Sequence, residues 1–191
     1  MSTVKLLLSR GADINAGSAT GRTALFLAIQ ARREDVARLL VEHGADPNTS
    51  TAANETPLWA ALTFGLPDIV ELLIAKGTRV DRCPEKDGTL LHIAAGAGYL
   101  PVVEQLIAEG ANVNAKMAYD ERPLHKAIER RRADVARTLI AHGADINAMT
   151  RDGRTPLDYA YSVQRRDPSL VEIVRAAGGK EGKVLKKERS H

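Results

Sequence analysis

The chain predicts an all-α repeat solenoid, a stack of helix-turn-helix units joined by hairpin-like loops. Three observations carry that prediction. A Thr-Pro-Leu-like signal begins at Thr23, Thr56, Thr89, Arg122 and Thr155, always 33 residues apart. A glycine keeps the same step at Gly11, Gly44, Gly77, Gly110 and Gly143, mostly followed by Ala-Asp/Asn-x-Asn. Aromatic residues make up only 4% of the chain, so Ala, Leu, Ile and Val are left to fill thin layers of short helices. Two independent motifs holding one register over more than 130 residues mean that each unit buries its apolar face by stacking on its neighbours.

The elements follow in order. Val4-Lys5-Leu6-Leu7-Leu8-Ser9-Arg10-Gly11 aligns with the second helix of a unit whose first helix is missing. Val4, Leu7 and Leu8 would then have nothing on one side, whereas terminal repeats need a polar outer face. The chain is therefore expected either to belong to a longer protein with upstream repeats or to self-associate at this end. The second full unit shows the general plan. Thr56 can cap a helix that has Pro57 at its first position, where the missing N–H costs nothing. Leu58, Ala61 and Leu62 share a face of that helix. Gly65-Leu66-Pro67-Asp68 makes a tight turn, because Pro67 disfavours the helical state of the residue before it. Ile69, Val70, Leu72, Leu73 and Ile74 form a wider stripe on a second helix, which Gly77 ends in a left-handed conformation. Thr78 to Gly88 carries no helical stripe and reads as an extended loop with a turn at its tip. Two residues before the Thr signal stand Gly21, Asn54, Asp87, Asp120 and Gly153, the residue types that tolerate positive φ, so a backbone requirement explains that column.

With these motifs on the page, the units resemble ankyrin repeats. The likeness is read in Gly153-Arg154-Thr155-Pro156-Leu157-Asp158-Tyr159-Ala160, in Leu91-His92-Ile93-Ala94-Ala95, and in Gly143-Ala144-Asp145-Ile146-Asn147-Ala148. The resemblance implies paired antiparallel helices with β-hairpin-like fingers set across them. It covers a domain over 1–178: a half repeat at 1–17, then five full repeats at 18–50, 51–83, 84–116, 117–149 and 150–178. Residues 179–191 are left as a basic tail expected to be disordered. Departures mark weak points. Arg122 replaces the capping Thr of the fourth repeat, and loss of a cap costs typically about 1 kcal/mol. Leu90 replaces the first-turn Pro of the third. Gly77-Thr78-Arg79 lacks the usual Ala-Asp, so the turn there is expected to differ.

Charge and cysteine narrow the function. The net charge is +3, and the tail accounts for all of it through Lys180, Lys183, Lys186, Lys187 and Arg189 against Glu181 and Glu188. The body is formally neutral, so broad attraction to nucleic acid or anionic lipid is not indicated. Cys83 is the only cysteine, which excludes an internal disulfide and a multi-thiolate metal site. There is no charged-then-apolar leader and no apolar run long enough to span a bilayer, so no membrane insertion and a cytoplasmic location are expected.

Candidates for chemistry have structural readings beside them. His92 and His125 occupy equal positions in neighbouring repeats, and the resemblance assigns that histidine to inter-repeat hydrogen bonding. Trp59 shares the column and is expected to pack between repeats. Asp13, Asp46, Asn112 and Asp145, with Asn15, Asn48, Asn114 and Asn147, have the spacing of turn-holding side chains, and lie too far apart for one calcium site. No metal or cofactor is expected. Arg32-Arg33, Arg130-Arg131-Arg132 and Arg165-Arg166 fall at the turns between paired helices and could form a basic ridge.

The resemblance places partner contacts on the variable finger residues and the solvent-facing end of the first helix. Carried over, these are Arg22 and Gln30 in the first repeat, Glu55, Thr63 and Phe64 in the second, and Glu85 and Lys86, with Cys83, in the third finger. The fourth contributes Lys116, Tyr119, Glu121, Glu129 and Arg130, and the fifth Arg151, Asp152 and Arg154. Phe64 and Tyr119 stand at positions expected to be exposed, where aromatic and Arg side chains are favoured interface anchors, and the alternative for Phe64 is that it folds onto its neighbouring helix. The sequence thus points to a non-enzymatic scaffold that binds a protein partner rather than a small-molecule substrate. The alternative is a nucleic-acid or anionic-surface binder acting through the arginine ridge and the tail.

Overall fold

The computed structural model of the chain describes residues 2–80, 88–163 and 167–188. Three of the five repeats begin in the same way. The Thr hydroxyl of the signal accepts a hydrogen bond from the backbone N–H three residues on, in Thr23 to Phe26 (3.4 Å), Thr56 to Trp59 (3.1 Å) and Thr155 to Asp158 (3.4 Å). That bond satisfies a donor the helix start would otherwise leave without a partner. Arg122 has no acceptor to offer at this position. There the His125 ring Nδ1 accepts the Arg122 N–H instead (3.2 Å), so only half of the reciprocal cap survives.

Contacts divide the chain into two compact units, Met1–Pro84 and Glu85–His191, and each is described by itself. The first holds α1 (Ser2–Ser9), α2 (Ala24–Gln30), α3 (Glu34–Glu42), α4 (Pro57–Phe64) and α5 (Pro67–Ala75). In it α2 packs on α4 and α3 on α5, so first helices form one layer and second helices the other. The second unit holds α6 (Leu90–Ala97), α7 (Leu100–Ala108), α8 (Pro123–Glu129), α9 (Ala133–Ala141), α10 (Pro156–Val163), α11 (Ser169–Ala176) and α12 (Gly182–Glu188). Here α8 lies between α6 and α10, and α9 between α7 and α11. The fold is the all-α repeat solenoid class that the period predicts.

The layers are close because the sequence puts small residues where they meet. Ala28, Ala61, Ala94, Ala127 and Ala160 recur at the repeat step and are all buried, as are Leu25, Leu58, Leu91, Leu124 and Leu157 on the same helices. Leu40, Leu73, Leu106 and Leu139 fill the second layer. Fully burying such a side chain is worth about 1.5–3 kcal/mol. The Asn and Asp columns behave as turn residues. Asp13, Asp46, Asn112 and Asp145 each accept the N–H two residues on, at 2.8–3.0 Å. Asn15, Asn48, Asn114 and Asn147 reach one repeat further, accepting the N–H of Asp46, Arg79, Asp145 and Lys180 at 2.7–2.8 Å. These columns hold loops together and leave no oxygen cluster for calcium.

Each described finger closes on one bond, Ser18 N–H to Arg22 O, Thr51 to Glu55, Met117 to Glu121 and Thr150 to Arg154, at 2.9–3.0 Å. Gly21, Asn54, Asp120 and Gly153 all take positive φ, as their residue types require, and Asp87 lies outside the described residues. The turn at Thr78 keeps the backbone bond of its counterparts, Thr78 N–H to Leu73 O, and the hydroxyl adds a second bond to the same oxygen (2.6 Å). The departure from Ala-Asp therefore leaves the turn intact.

Two ends of the chain contrast. In α1, Leu6 and Leu7 are each 55% exposed, while Val4 and Leu8 are half-buried. The tail corrects the expectation of disorder, because residues 182–188 form α12. Asp158 supplies the reason. It stands in the histidine column, and its Oδ2 accepts from Thr155 N–H (2.9 Å), Thr155 Oγ1 (3.0 Å) and Gly182 N–H (2.9 Å). The same Thr155 hydroxyl lies 2.7 Å from Lys180 O. One carboxylate thus ties the start of α10 to the start of α12.

Candidate functional site

The fourth and fifth fingers, with the first helices behind them, frame an open groove of about 520 Å³ lined by Tyr119, Glu121, Thr150, Arg151, Asp152 and Tyr159. Its rim comes from backbone geometry. Tyr119 (φ 61°) and Asp120 (φ 59°) are consecutive left-handed residues within the 3-10 turn Ala118–Asp120. A bulky residue rarely adopts that conformation, which costs on the order of 1–2 kcal/mol. The effect is to project the Tyr119 ring, 69% exposed, from the finger tip. The next finger is bound to this tip by Arg151 N–H to Tyr119 O (2.8 Å), and the Arg151 guanidinium lies 5.9 Å from the Tyr119 ring centre.

The floor is a closed polar network. Glu121 accepts from the Tyr159 hydroxyl at Oε1 (2.7 Å) and pairs with Lys126 at Oε2 (2.8 Å). Burial alone would raise this carboxyl's pKa, but the Lys126 and Tyr159 hydrogen bonds outweigh it and hold the group below its usual value. Burial and the Glu121 bond together push the Tyr159 phenol above its ordinary range, so it stays a donor. Lys126 is held charged by Glu121 and Glu129 against its own burial. Behind them His125 meets Tyr159 edge-on at 5.1 Å, and burial pushes its imidazole down to about 4. His92 is likewise lowered by burial; its Nδ1 accepts from Thr89 N–H (3.1 Å) and its Nε2 lies 3.3 Å from Glu121 O. Both histidines are neutral and buried; His92 makes the inter-repeat bond that the resemblance implies, whereas His125 Nε2 is buried without a hydrogen-bond partner. Arg154 stacks 4.2 Å above the Tyr159 ring, and Asp152 accepts from the Thr150 hydroxyl, which keeps that carboxyl below its usual value.

The expected contact residues fall into three groups. Tyr119, Glu121, Arg151, Asp152 and Arg154 come together at this groove. Lys116 lies beside it, paired with Asp120 (3.3 Å), while Glu129 pairs with Lys126 (3.0 Å) and Arg130 is exposed at the end of α8. In the first unit Arg22 and Glu55 approach to 3.8 Å between adjacent fingers, with the Arg22 guanidinium 5.6 Å from the Phe26 ring centre. Gln30 and Thr63 are exposed at the ends of α2 and α4. Phe64 falls between the two readings of it. It is half-buried on the last turn of a helix whose residues Pro57–Leu62 are all buried, so its ring is only partly available. Trp59 is buried, as its column predicts. Glu85, Lys86 and Cys83 lie outside the described residues.

Sequence reasoning missed Lys126, Thr150 and Tyr159. The signal was present: Leu27, Ala60, Ile93, Lys126 and Tyr159 share a column, and only its last two members are polar. Those two hold Glu121. The arginine ridge has structural uses of its own. Arg32 and Arg131 take left-handed φ where the matching turns have Gly65 and Gly98. Arg32 donates to Phe64 O at the end of α4, and Arg132 Nε to Gly96 O (3.1 Å) in α6. Arg165 and Arg166 lie outside the described residues. Among the described residues no group of His, Cys, Asp and Glu could hold a metal ion, and no helix is long and apolar enough to cross a membrane.

A family model for ankyrin repeats, described as holding three copies, matches residues 1–84, 48–117 and 91–177. No curated protein matches the chain significantly.

Proposed function

Since the chain belongs to the ankyrin-repeat family, whose members generally mediate protein–protein interaction, we propose that it is a non-catalytic scaffold. It binds a protein partner through its finger and first-helix faces. The observation that carries this reading is the groove in the second unit. Tyr119, in a costly left-handed conformation, sets its aromatic ring into solvent beside an arginine, a pairing favoured at interface centres. Beneath it Glu121, Lys126 and Tyr159 already bond to one another, so the groove offers a fixed surface that loses little freedom on binding. In the first unit the Arg22–Glu55 pair, with Gln30, Thr63 and the partly available Phe64, offers a second and weaker patch.

The competing reading, an anionic surface held by the arginine ridge and tail, has less support. Arg32 and Arg132 are engaged in tying helix ends, while Lys180 pairs with Glu188 and Lys183 with Glu181, each at 2.8 Å.

A photo-crosslinking amino acid at position 119, compared with one at exposed Arg137 on α9, tests the proposal in host lysate. Discrete protein adducts are expected from position 119 and none from 137. Equal adducts from both, or adducts to nucleic acid alone, would overturn it.

A further inference from the structure

We propose that the groove between the fourth and fifth fingers recognises an acidic peptide segment, whose Asp or Glu side chains are taken by the guanidiniums of Arg151 and Arg154. This rests on the interaction reading above and names the chemistry of the partner.

The argument begins with which groups in the groove are already engaged. Both carboxylates are held: Glu121 by Tyr159 and Lys126, and Asp152 by the Thr150 hydroxyl. A basic peptide would have to displace these partners. The aromatic faces, the other attraction for a cation, already carry a guanidinium each, Arg154 at 4.2 Å over Tyr159 and Arg151 at 5.9 Å over Tyr119. Glu121 and the two ring faces are therefore already engaged, and Asp152 is the carboxylate of the groove that stays exposed.

The arginines are open in the complementary sense. Among the described residues neither guanidinium closes a salt bridge or donates a side-chain hydrogen bond. Stacking on a ring fixes the plane of a guanidinium and leaves its edge donors free, and that fork matches a carboxylate bidentately. Arg154 is half-buried, so part of its desolvation has been met by folding. Lys126 is met by Glu121 and Glu129, which leaves Arg151 and Arg154 facing Asp152 as the charges of the groove outside that cluster. The positive balance is local, because the body of the chain is formally neutral. A local excess inside a pocket of this size suits a short acidic segment. A nucleic acid needs cations repeated along a backbone track.

The test is selection of a random dodecapeptide display library on the full chain, beside three folded variants: Arg151→Gln/Arg154→Gln, Arg151→Lys/Arg154→Lys and Tyr119→Ala. Circular dichroism melting verifies that each variant is folded. Wild type is expected to enrich peptides rich in Asp and Glu. A synthetic peptide from that pool should bind about tenfold or more weakly to the Gln double variant. The Lys double variant should fall between, because it keeps the charge and loses the fork. Enrichment of neutral or basic peptides that is lost in Tyr119→Ala would overturn the acidic assignment while leaving the groove as the binding face. Acidic peptides held equally by wild type and all three variants would overturn the groove itself. No enrichment, or tighter binding of a single-stranded oligothymidine than of any selected peptide, would also overturn the proposal.

Discussion

His125 shows how one residue type serves structure here and what that implies for pH. Its Nδ1 accepts the Arg122 N–H, and in this role the ring must be neutral. Burial pushes its pKa from 6.5 down to about 4, so the unfolded chain binds the proton more readily than the folded one. Stability from this group is complete above pH 6.5 and declines as pH falls toward 4, by about 3 kcal/mol at most. His92, also lowered by burial, adds in the same direction. Glu121, held below its usual value, adds its loss only below about pH 4.5. Urea unfolding at steps between pH 7 and 4.5 should show stability falling, and His125→Gln should flatten that slope whatever its effect on absolute stability. Equal slopes in the two proteins would refute the assignment. This role was legible in the sequence because His92 and His125 repeat at the same position. The Tyr119 rim was legible only as an exposed aromatic. Its left-handed backbone was not, since the column that demands positive φ is that of Asp120, one residue later.

The element that the sequence concealed is α12. Composition described the tail by its lysines, and a run of like charge reads as solvated chain. What orders it is a side chain 24 residues before its start, Asp158 in the histidine column, whose carboxylate can serve two helix starts where an imidazole nitrogen serves one. Gly182 completes the joint: it is buried, and a Cβ added there would collide with Gly153 O. Gly182→Ala is therefore expected to undock α12 while α8 to α11 stay folded, and hydrogen exchange read by mass spectrometry should show protection lost over 182–188 alone. Asp158→Ala should lose the same protection and also weaken the start of α10, since hydrogen bonds to a charged acceptor are worth about 1.5–3 kcal/mol each. Retained protection of 182–188 in both variants would mean that α12 is held by something other than this joint. The repeat helices, by contrast, were legible to their ends. Their Thr caps, Pro starts and Gly stops are local chemistry, repeated often enough that one weak case, Arg122, could be read against four good ones.

At the scale of the whole molecule, a repeat stack has no central core, so the stability of each helix is set by its neighbours. Within the second unit α8 is flanked by α6 and α10, and α9 by α7 and α11, while α12 covers the start of α10. Within the first, Leu6 and Leu7 of α1 are each 55% exposed. Local opening should follow this order, because segments with few buried apolar contacts exchange through small fluctuations and flanked helices only through larger ones. Native-state hydrogen exchange of the full chain should therefore find α1 less protected than α3 and α5 in the first unit, and α9 more protected than α11 in the second. If α1 exchanged as slowly as α3 at low protein concentration, its exposed leucines would not be limiting. If it did so only at high concentration, α1 would be gaining a neighbour from a second copy of the chain, and dilution would restore the gradient that the isolated stack requires.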